Sequence, residues 1–281
     1  MSVKYNTSII IDGLVELLEP NLANGTTTQL ITSRVSNSTF TANNYSVGTS
    51  ATFKTFQSNA IADGSGTSYI TLNRNTALET GSITFIIWLN LENIAINVSG
   101  GINNNWRGLL CTSNNGTAGS PLTMVLEENQ IINFSTSHTD TYRRFLNGSF
   151  APVTLDSNGW QMLTYTYDSS TGNAACYKNN LLVLSGPMTT GGVGVGATAA
   201  GLQLSYTNYQ AGGFRIYGGT TTSSDPNGNG ICPGELGHVL IYNKALTQNN
   251  INNNFTALRG RYGLWVYHIH LVLLQIIYYY Q

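Results

Sequence analysis

The sequence predicts an all-β protein, an antiparallel β-sandwich carrying one short C-terminal helix, on three observations. Apolar residues recur with period two in one segment after another. Only 9% of the 281 residues are charged, against roughly 25% in an average soluble domain, and Asn, Thr, Ser and Gly supply polar turns between short strands. A single segment near the C-terminus carries helical signals.

The strands follow in chain order. In Ile83 to Leu89, the residues Ile83, Phe85, Ile87 and Leu89 share one face while Thr84, Ile86 and Trp88 take the other, which predicts a strand buried on both sides. In Trp160 to Tyr167, Leu163, Tyr165 and Tyr167 alternate with Met162, Thr164 and Thr166, the pattern of a half-buried strand. The turn residues Asp168 to Asn173 lead into Ala175 to Lys178, and Asn179-Asn180 turns the chain again into Leu181 to Leu184, so two consecutive hairpins are expected. Val239 to Tyr242 reads as the last main strand. After it, Thr247 is a helix cap, Leu246 and Ile251 form a hydrophobic staple, and Ile251, Phe255 and Leu258 share a face that Gly260 can close. The Gly-rich stretch Thr190 to Gly201 reads as a bend between strands, or as a loop that approaches a ligand.

The same segments, taken in order, resemble the concanavalin A-like superfamily. The likeness is to its laminin G-like jelly rolls, in the version common in phage and other virus structural proteins. Gly13 to Leu18 (GLVELL) looks like the opening strand and Tyr69 to Leu72 (YITL) like the next. Gly81 to Trp88 (GSITFIIW) is similar to the family's GSFTIEAW strand, and Trp160 to Asp168 (WQMLTYTYD) to its WHHVAVTYD strand. The last segment matches best: Val239 to Thr247 (VLIYNKALT) and then Asn254 to Leu264 (NFTALRGRYGL) resemble the strand, turn and short helix closing in GRYGL of viral relatives. Two departures stand out. The segment Thr26 to Asn44 lacks the family's WTDLSGNGNNG run, and the acidic residue often found before the final strand is replaced by Gly237-His238. The resemblance implies one sandwich over residues 1–264 followed by an apolar tail, 265–281. It further implies a structural subunit on the exterior of a virus particle, assembled in the host cytoplasm against other capsid or tail proteins and copies of itself, with host glycans as further partners.

Composition excludes several other classes. A net charge of −1 leaves no basic stripe for phosphates, so nucleic acid is not expected as a partner. No basic stretch followed by an apolar run opens the chain, so classical secretion is not signalled. Cys111, Cys176 and Cys232 have no zinc spacing and read as buried thiols.

Catalysis is not expected. A glycoside hydrolase needs two carboxylates flanking the scissile bond, and the E-x-D-x-x-E strand motif is absent. The nearest carboxylates in sequence are Asp12 with Glu16, Glu16 with Glu19, and Glu127-Glu128, whose side chains would point to opposite faces of a strand. Neither GxSxG nor HExxH occurs.

Three binding features remain. Tyr206, Asn208, Tyr209, Arg215 and Tyr217 offer stacking faces and polar groups to a glycan, or else strand packing with half-exposed tyrosines. Asp225, Asn227 and Asn229 fit the first half of a calcium loop, but its twelfth position is Leu236, so Glu235 would have to serve as the last ligand; the other reading is a plain Asn/Gly turn around Pro226. Trp88 and Trp160 belong to core strands and read as packing residues. The tail, only 17 residues long, is at the bottom of the range for a membrane span, and its β-branched and aromatic content favours a strand. His268 and His270 share one face of that strand but have no third metal ligand. A run this apolar must be covered, by its own sandwich or by a neighbouring subunit; the expected docking residues are Trp265, Tyr267, Ile269, Leu271 and Leu273.

Overall fold

Sixteen strands run through the described residues, each pairing antiparallel. The structure is a computed structural model, and it describes residues 9–20, 28–36, 38–43, 45–50, 53–58, 69–91, 107–112, 122–126, 132–137, 143–146, 155–156, 159–189, 204, 214–216 and 234–264. The strands of one sheet are β1 (Leu14–Leu18), β4 (Tyr45–Ser50), β5 (Phe53–Ser58), β7 (Ile83–Leu91), β12 (Trp160–Asp168), β13 (Asn173–Lys178), β14 (Leu181–Thr189) and β16 (Gly234–Tyr242). The other contains β2 (Thr28–Thr32), β3 (Thr39–Asn43), β6 (Tyr69–Leu72), β8 (Arg107–Thr112), β9 (Thr123–Leu126), β10 (Ile132–Ser137), β11 (Arg143–Leu146) and β15 (Phe214–Ile216).

The first sheet has the order β14-β13-β12-β7-β16, and β16 divides its far edge between β1 and β5, with β4 outermost. The second runs β2-β3-β6-β15-β8-β9-β10-β11. β14 joins them: Leu181 to Pro187 pair with β13, while Met188 and Thr189 pair with Leu146 and Phe145 of β11.

Strand alternation explains why the first sheet is buried twice. One set of its side chains, Phe85, Ile87, Leu163, Tyr165, Val239 and Ile241, meets Phe40, Ile70, Leu110, Met124 and Phe134 from the second sheet in one core. Phe134 stacks on Tyr165 across that core, ring centroids 4.8 Å apart. The opposite set, Ile86, Trp88, Met162, Leu240 and Tyr242, lies under the C-terminal helix α1 (Gln248–Leu258), through Ile251, Phe255 and Leu258. Each large apolar side chain so buried contributes about 1.5–3 kcal/mol.

This second core corrects one expectation. β12 is buried on both faces rather than half-buried, because Met162 and its neighbours on the outer face are covered from the helix side. The two-sided burial of β7 and both hairpins are as the sequence predicts. Asn179 takes φ 58° at the second turn, a left-handed conformation that Asn tolerates. The first turn is held by Ser170, whose N–H and hydroxyl both donate to Asp168. The side-chain hydrogen bond from Ser170 is the main reason that the Asp168 carboxyl titrates below its ordinary value.

The turn after β16 is fixed by a buried hydroxyl. Thr84 donates to the Lys244 carbonyl at 2.7 Å and accepts from the Leu246 N–H at 2.9 Å. Thr247 then caps α1, accepting from the Asn250 N–H, with Leu246 and Ile251 buried beside it. The helix does not close at Gly260. It tightens into a 3₁₀ turn, Arg259–Tyr262, and Gly263 at φ 71° supplies the left-handed residue that ends it. Cys176 is a buried free thiol whose pKa burial pushes up; Cys111 lies in β8, and Cys232 lies outside the described residues.

Candidate functional site

β16 carries a bulge where its register with β7 slips between Leu236 and Val239. The bulge is Gly237-His238, the pair that stands where relatives often carry an acid. The Tyr262 hydroxyl accepts from the His238 backbone N–H at 2.8 Å and contacts His238 Nδ1 at 2.5 Å. On the other side of the imidazole, Nε2 is 3.5 Å from Glu19 Oε1 and 3.3 Å from Arg261 Nη1. Arg34 Nε donates to the second Glu19 oxygen at 3.0 Å. The phenol oxygen is thus bonded to both the backbone and the ring of His238, while Nε2 faces the Glu19 carboxylate on one side and the Arg261 guanidinium on the other.

Burial drives the electrostatics of this group. It lowers the pKa of His238, with the Arg261 charge adding to the effect, so the imidazole is neutral at pH 7. Burial works to raise the Glu19 carboxyl, but the hydrogen bond to His238 and the nearby positive charges of Arg34 and Arg261 outweigh it and hold that carboxyl below its ordinary value. The Tyr262 phenol is pushed well up, again by burial. In composition this is a Tyr–His–Glu relay. Its imidazole is only 2% exposed and Glu19 5%, so the group ties β1, β16 and the C-terminal turn together and presents nothing to a substrate.

Beside it, a polar strip crosses the outer face of the first sheet. Trp160 of β12 stands opposite Asn90 of β7, Asn90 opposite Glu235 of β16, and Glu235 opposite Gln57 of β5. Directly opposed residues share a face, so one register row holds an indole, an amide and a carboxylate. Glu235 accepts from Thr55 Oγ1 at 2.7 Å and from Asn90 Nδ2 at 3.2 Å. The Asn90 Oδ1 atom is buried and has no hydrogen-bond partner among the described residues. Trp160 is half-buried, with its ring centroid 4.6 Å from that of Tyr262. Tyr262 is therefore the boundary of the helix-covered face. On one side it stacks on Trp88 at 4.1 Å, and Phe255 of α1 stacks on Trp88 at 5.7 Å. On the other side the strip begins.

The strip contains one residue that the sequence singles out as a ligand, Glu235, and one that it assigns to packing, Trp160. The Glu235 carboxylate is bonded to Thr55 and Asn90, and the rest of the proposed calcium loop, Asp225, Asn227 and Asn229, lies outside the described residues. Among the described residues no three His, Cys, Asp or Glu side chains gather as a metal site would require. Of the aromatic cluster, Arg215 occupies the register position between Thr71 of β6 and Cys111 of β8; Tyr206, Asn208, Tyr209 and Tyr217 lie outside the described residues, as do Trp265, Tyr267, Ile269, Leu271 and Leu273 of the tail. The carboxylates paired by sequence proximity go separate ways: Asp12 to Lys244, Glu16 to Ser36 and Asn75, Glu19 to Arg34 and His238. Sequence reasoning missed the row of Trp160 and Asn90, since only strand register brings them together.

Comparison with known proteins agrees with this architecture. A family model described as the concanavalin A-like lectin/glucanases superfamily matches residues 63–252. A sequence comparison with curated proteins finds no match. Among solved structures, Trypanosoma rangeli sialidase in complex with sialic acid superposes with a TM-score of 0.57 at 12% identity, covering 89% of this chain and 34% of the sialidase. The binding domain of botulinum neurotoxin DC in complex with SialylT gives a TM-score of 0.53 at 14% identity, covering 88% of this chain and 52% of that one. This chain thus spans about a third of the sialidase and about half of the neurotoxin binding domain, and at such identities the likeness is one of fold. The two-sheet sandwich, its closing helix and the family match over more than half of the sequence agree: the chain belongs to the concanavalin A-like lectin/glucanase superfamily.

Proposed function

We propose that this chain is a non-enzymatic, glycan-binding β-sandwich carried on the exterior of a virus particle. The observation that supports it most is the fate of the acidic groups. Among the described residues, Asp12, Glu16, Glu19, Glu79, Asp156, Asp168 and Glu235 each have a hydrogen-bond or ion-pair partner within the chain. Retaining and inverting glycosidases both need two carboxylates facing one bond, one of them ready to give a proton. These seven acids are engaged in internal bonds, and apart from the half-exposed Glu235 the chemistry they leave for contact is that of amides, hydroxyls and aromatic rings. Those groups recognise sugars without a strong field. Structural neighbours solved in complex with sialic acid and SialylT support a sugar as the ligand. The particle setting rests on the resemblance of Val239 to Leu264 to viral structural relatives, with the apolar tail as the element that docks onto neighbouring subunits or copies of the chain.

A glycan array probed with the intact chain should give bound sugars, and the same sugars incubated with it should be recovered uncleaved. Cleavage products would overturn the non-enzymatic reading. Mass spectrometry of particles purified from cultures that make the protein should find it there; its presence only as free monomer would remove the virion setting.

A further inference from the structure

We propose that the strip Trp160–Asn90–Glu235 is the sugar-binding surface of the chain, and that it takes a neutral oligosaccharide rather than an anionic one. The proposal rests on the glycan-binding reading above and adds to it a place and a ligand class.

The geometry supplies the two kinds of contact that a sugar needs. A half-buried indole at one end, Trp160, presents an apolar ring surface on which the C–H face of a pyranose packs. At the next two positions of the row stand an amide and a carboxylate. An ionised carboxylate accepts from hydroxyls through charge-assisted bonds, about twice as strong as neutral ones, and its two oxygens suit two neighbouring hydroxyls of one ring. Glu235 does not have to be ordered on binding. Thr55 and Asn90 already fix both of its oxygens, and each oxygen keeps acceptor capacity for a further donor. Preorganisation of this kind lowers the cost of binding. From Trp160 to the Gln57 position the row crosses three inter-strand gaps of about 4.8 Å, roughly 14 Å in all, the extent of a short oligosaccharide rather than of one sugar.

Charge sets the ligand class. Among the described residues both hydrogen-bond partners of Glu235 are neutral, so the carboxylate brings negative charge to the ligand. A sialylated or sulfated sugar would be repelled at the centre of the strip. Arg261, the cation at the Tyr262 boundary, is turned toward His238 and stands in the field of Glu19, which spends its charge elsewhere.

The test uses the full chain on an array holding matched neutral and sialylated oligosaccharides, followed by titration with the best neutral one. Glu235→Ala should weaken that binding about tenfold or more, and the wild-type titration should shift the Trp160 indole resonance. Trp160→Ala, checked for folding by thermal melting, should do the same as Glu235→Ala. If neutral sugars bind with unchanged affinity in Glu235→Ala and the Trp160 resonance does not move, the sugar sits elsewhere; the inference falls while glycan binding stands. If only sialylated sugars bind, the ligand class is wrong. If no glycan binds at all, the functional reading itself falls, and this inference with it.

Discussion

The Tyr262 hydroxyl occupies the space that a side chain at position 237 would fill: a β-carbon there would lie 2.2 Å from Tyr262 Oη, while the hydroxyl accepts the His238 N–H at 2.8 Å. Glycine at 237 is thus what lets the GRYGL turn lock onto the last strand. The contact is a matter of volume, not of backbone freedom.

Gly237→Ala should therefore force either the phenol or the bulge to move. Overpacking of this kind costs about 1–3 kcal/mol or more, and the denaturation midpoint should fall by about 2–4 °C per kcal/mol in a chain of this size. Gly159→Ala is the control, since nothing lies within 4 Å of its added carbon; a change within about 0.5 kcal/mol is expected there. Equal effects of the two substitutions would show that Tyr262 does not dock as described.

Tyr262→Phe keeps the ring stacked on Trp88 and tilted against Trp160 but removes the partner of a buried backbone N–H and of His238 Nδ1. Leaving such groups unsatisfied costs about 1–3 kcal/mol. Chemical denaturation of the two proteins measures it, and an unchanged midpoint would mean that stacking alone holds the turn.

Stability should fall as pH drops below 7. His238 is kept neutral by burial, so its folded pKa lies below 6.5 and the unfolded chain takes up the proton first. By linkage, the stability it contributes is complete above about pH 6.5 and is lost as pH falls through the folded value. Glu19, also held low, acts in the same direction at more acidic pH. Melting curves from pH 7.5 to 5 should show the decline, and His238→Gln should flatten the upper part of it. A pH profile unchanged by that substitution would assign the decline to other groups.

Asn254 closes a ring of three hydrogen bonds, one of them fully buried. Its amide donates to the Tyr242 hydroxyl at 3.0 Å and accepts from the Ile10 N–H at 2.9 Å, while Tyr242 donates to the Ile10 carbonyl at 3.0 Å. Asn254→Ala should cost about 1–3 kcal/mol and speed amide exchange at Ile10. Unchanged exchange there would show the N-terminal segment to be held by other contacts.

How much of this could be read from the chain varies with the physics. β7, the hairpins, the Val239–Tyr242 part of β16 and the Thr247 cap were legible because alternation and capping are local; the first part of β16, before the bulge, was not. The outer burial of β12 was not, because Met162 is covered by a helix some ninety residues later in sequence, and period two says only that two faces exist. Gly260 looked like the helix end because it is the first glycine after the apolar face; the 3₁₀ turn carries the stop to Gly263. The strip was hidden for a further reason: Trp160, Asn90 and Glu235 sit on three strands, and register, not spacing, makes them neighbours. Tyr262 is a different lesson. It belongs to the GRYGL motif that carries the family likeness, yet its role depends on Gly237, one of the chain's departures from that family.

The pairing of Leu14 with Tyr242, and of the Ile10 N–H with Asn254, has a consequence for the order in which the protein is made. β1 leaves the ribosome more than two hundred residues before its partner strand and covering helix. At roughly 5–20 residues per second, the nascent chain waits about ten to fifty seconds with Leu14, Leu17 and Leu18 unpaired. Contacts of such long range also make closure slow once all parts are present. The sandwich is thus completed only once synthesis has passed α1, and until then β1 is an apolar segment in want of a chaperone.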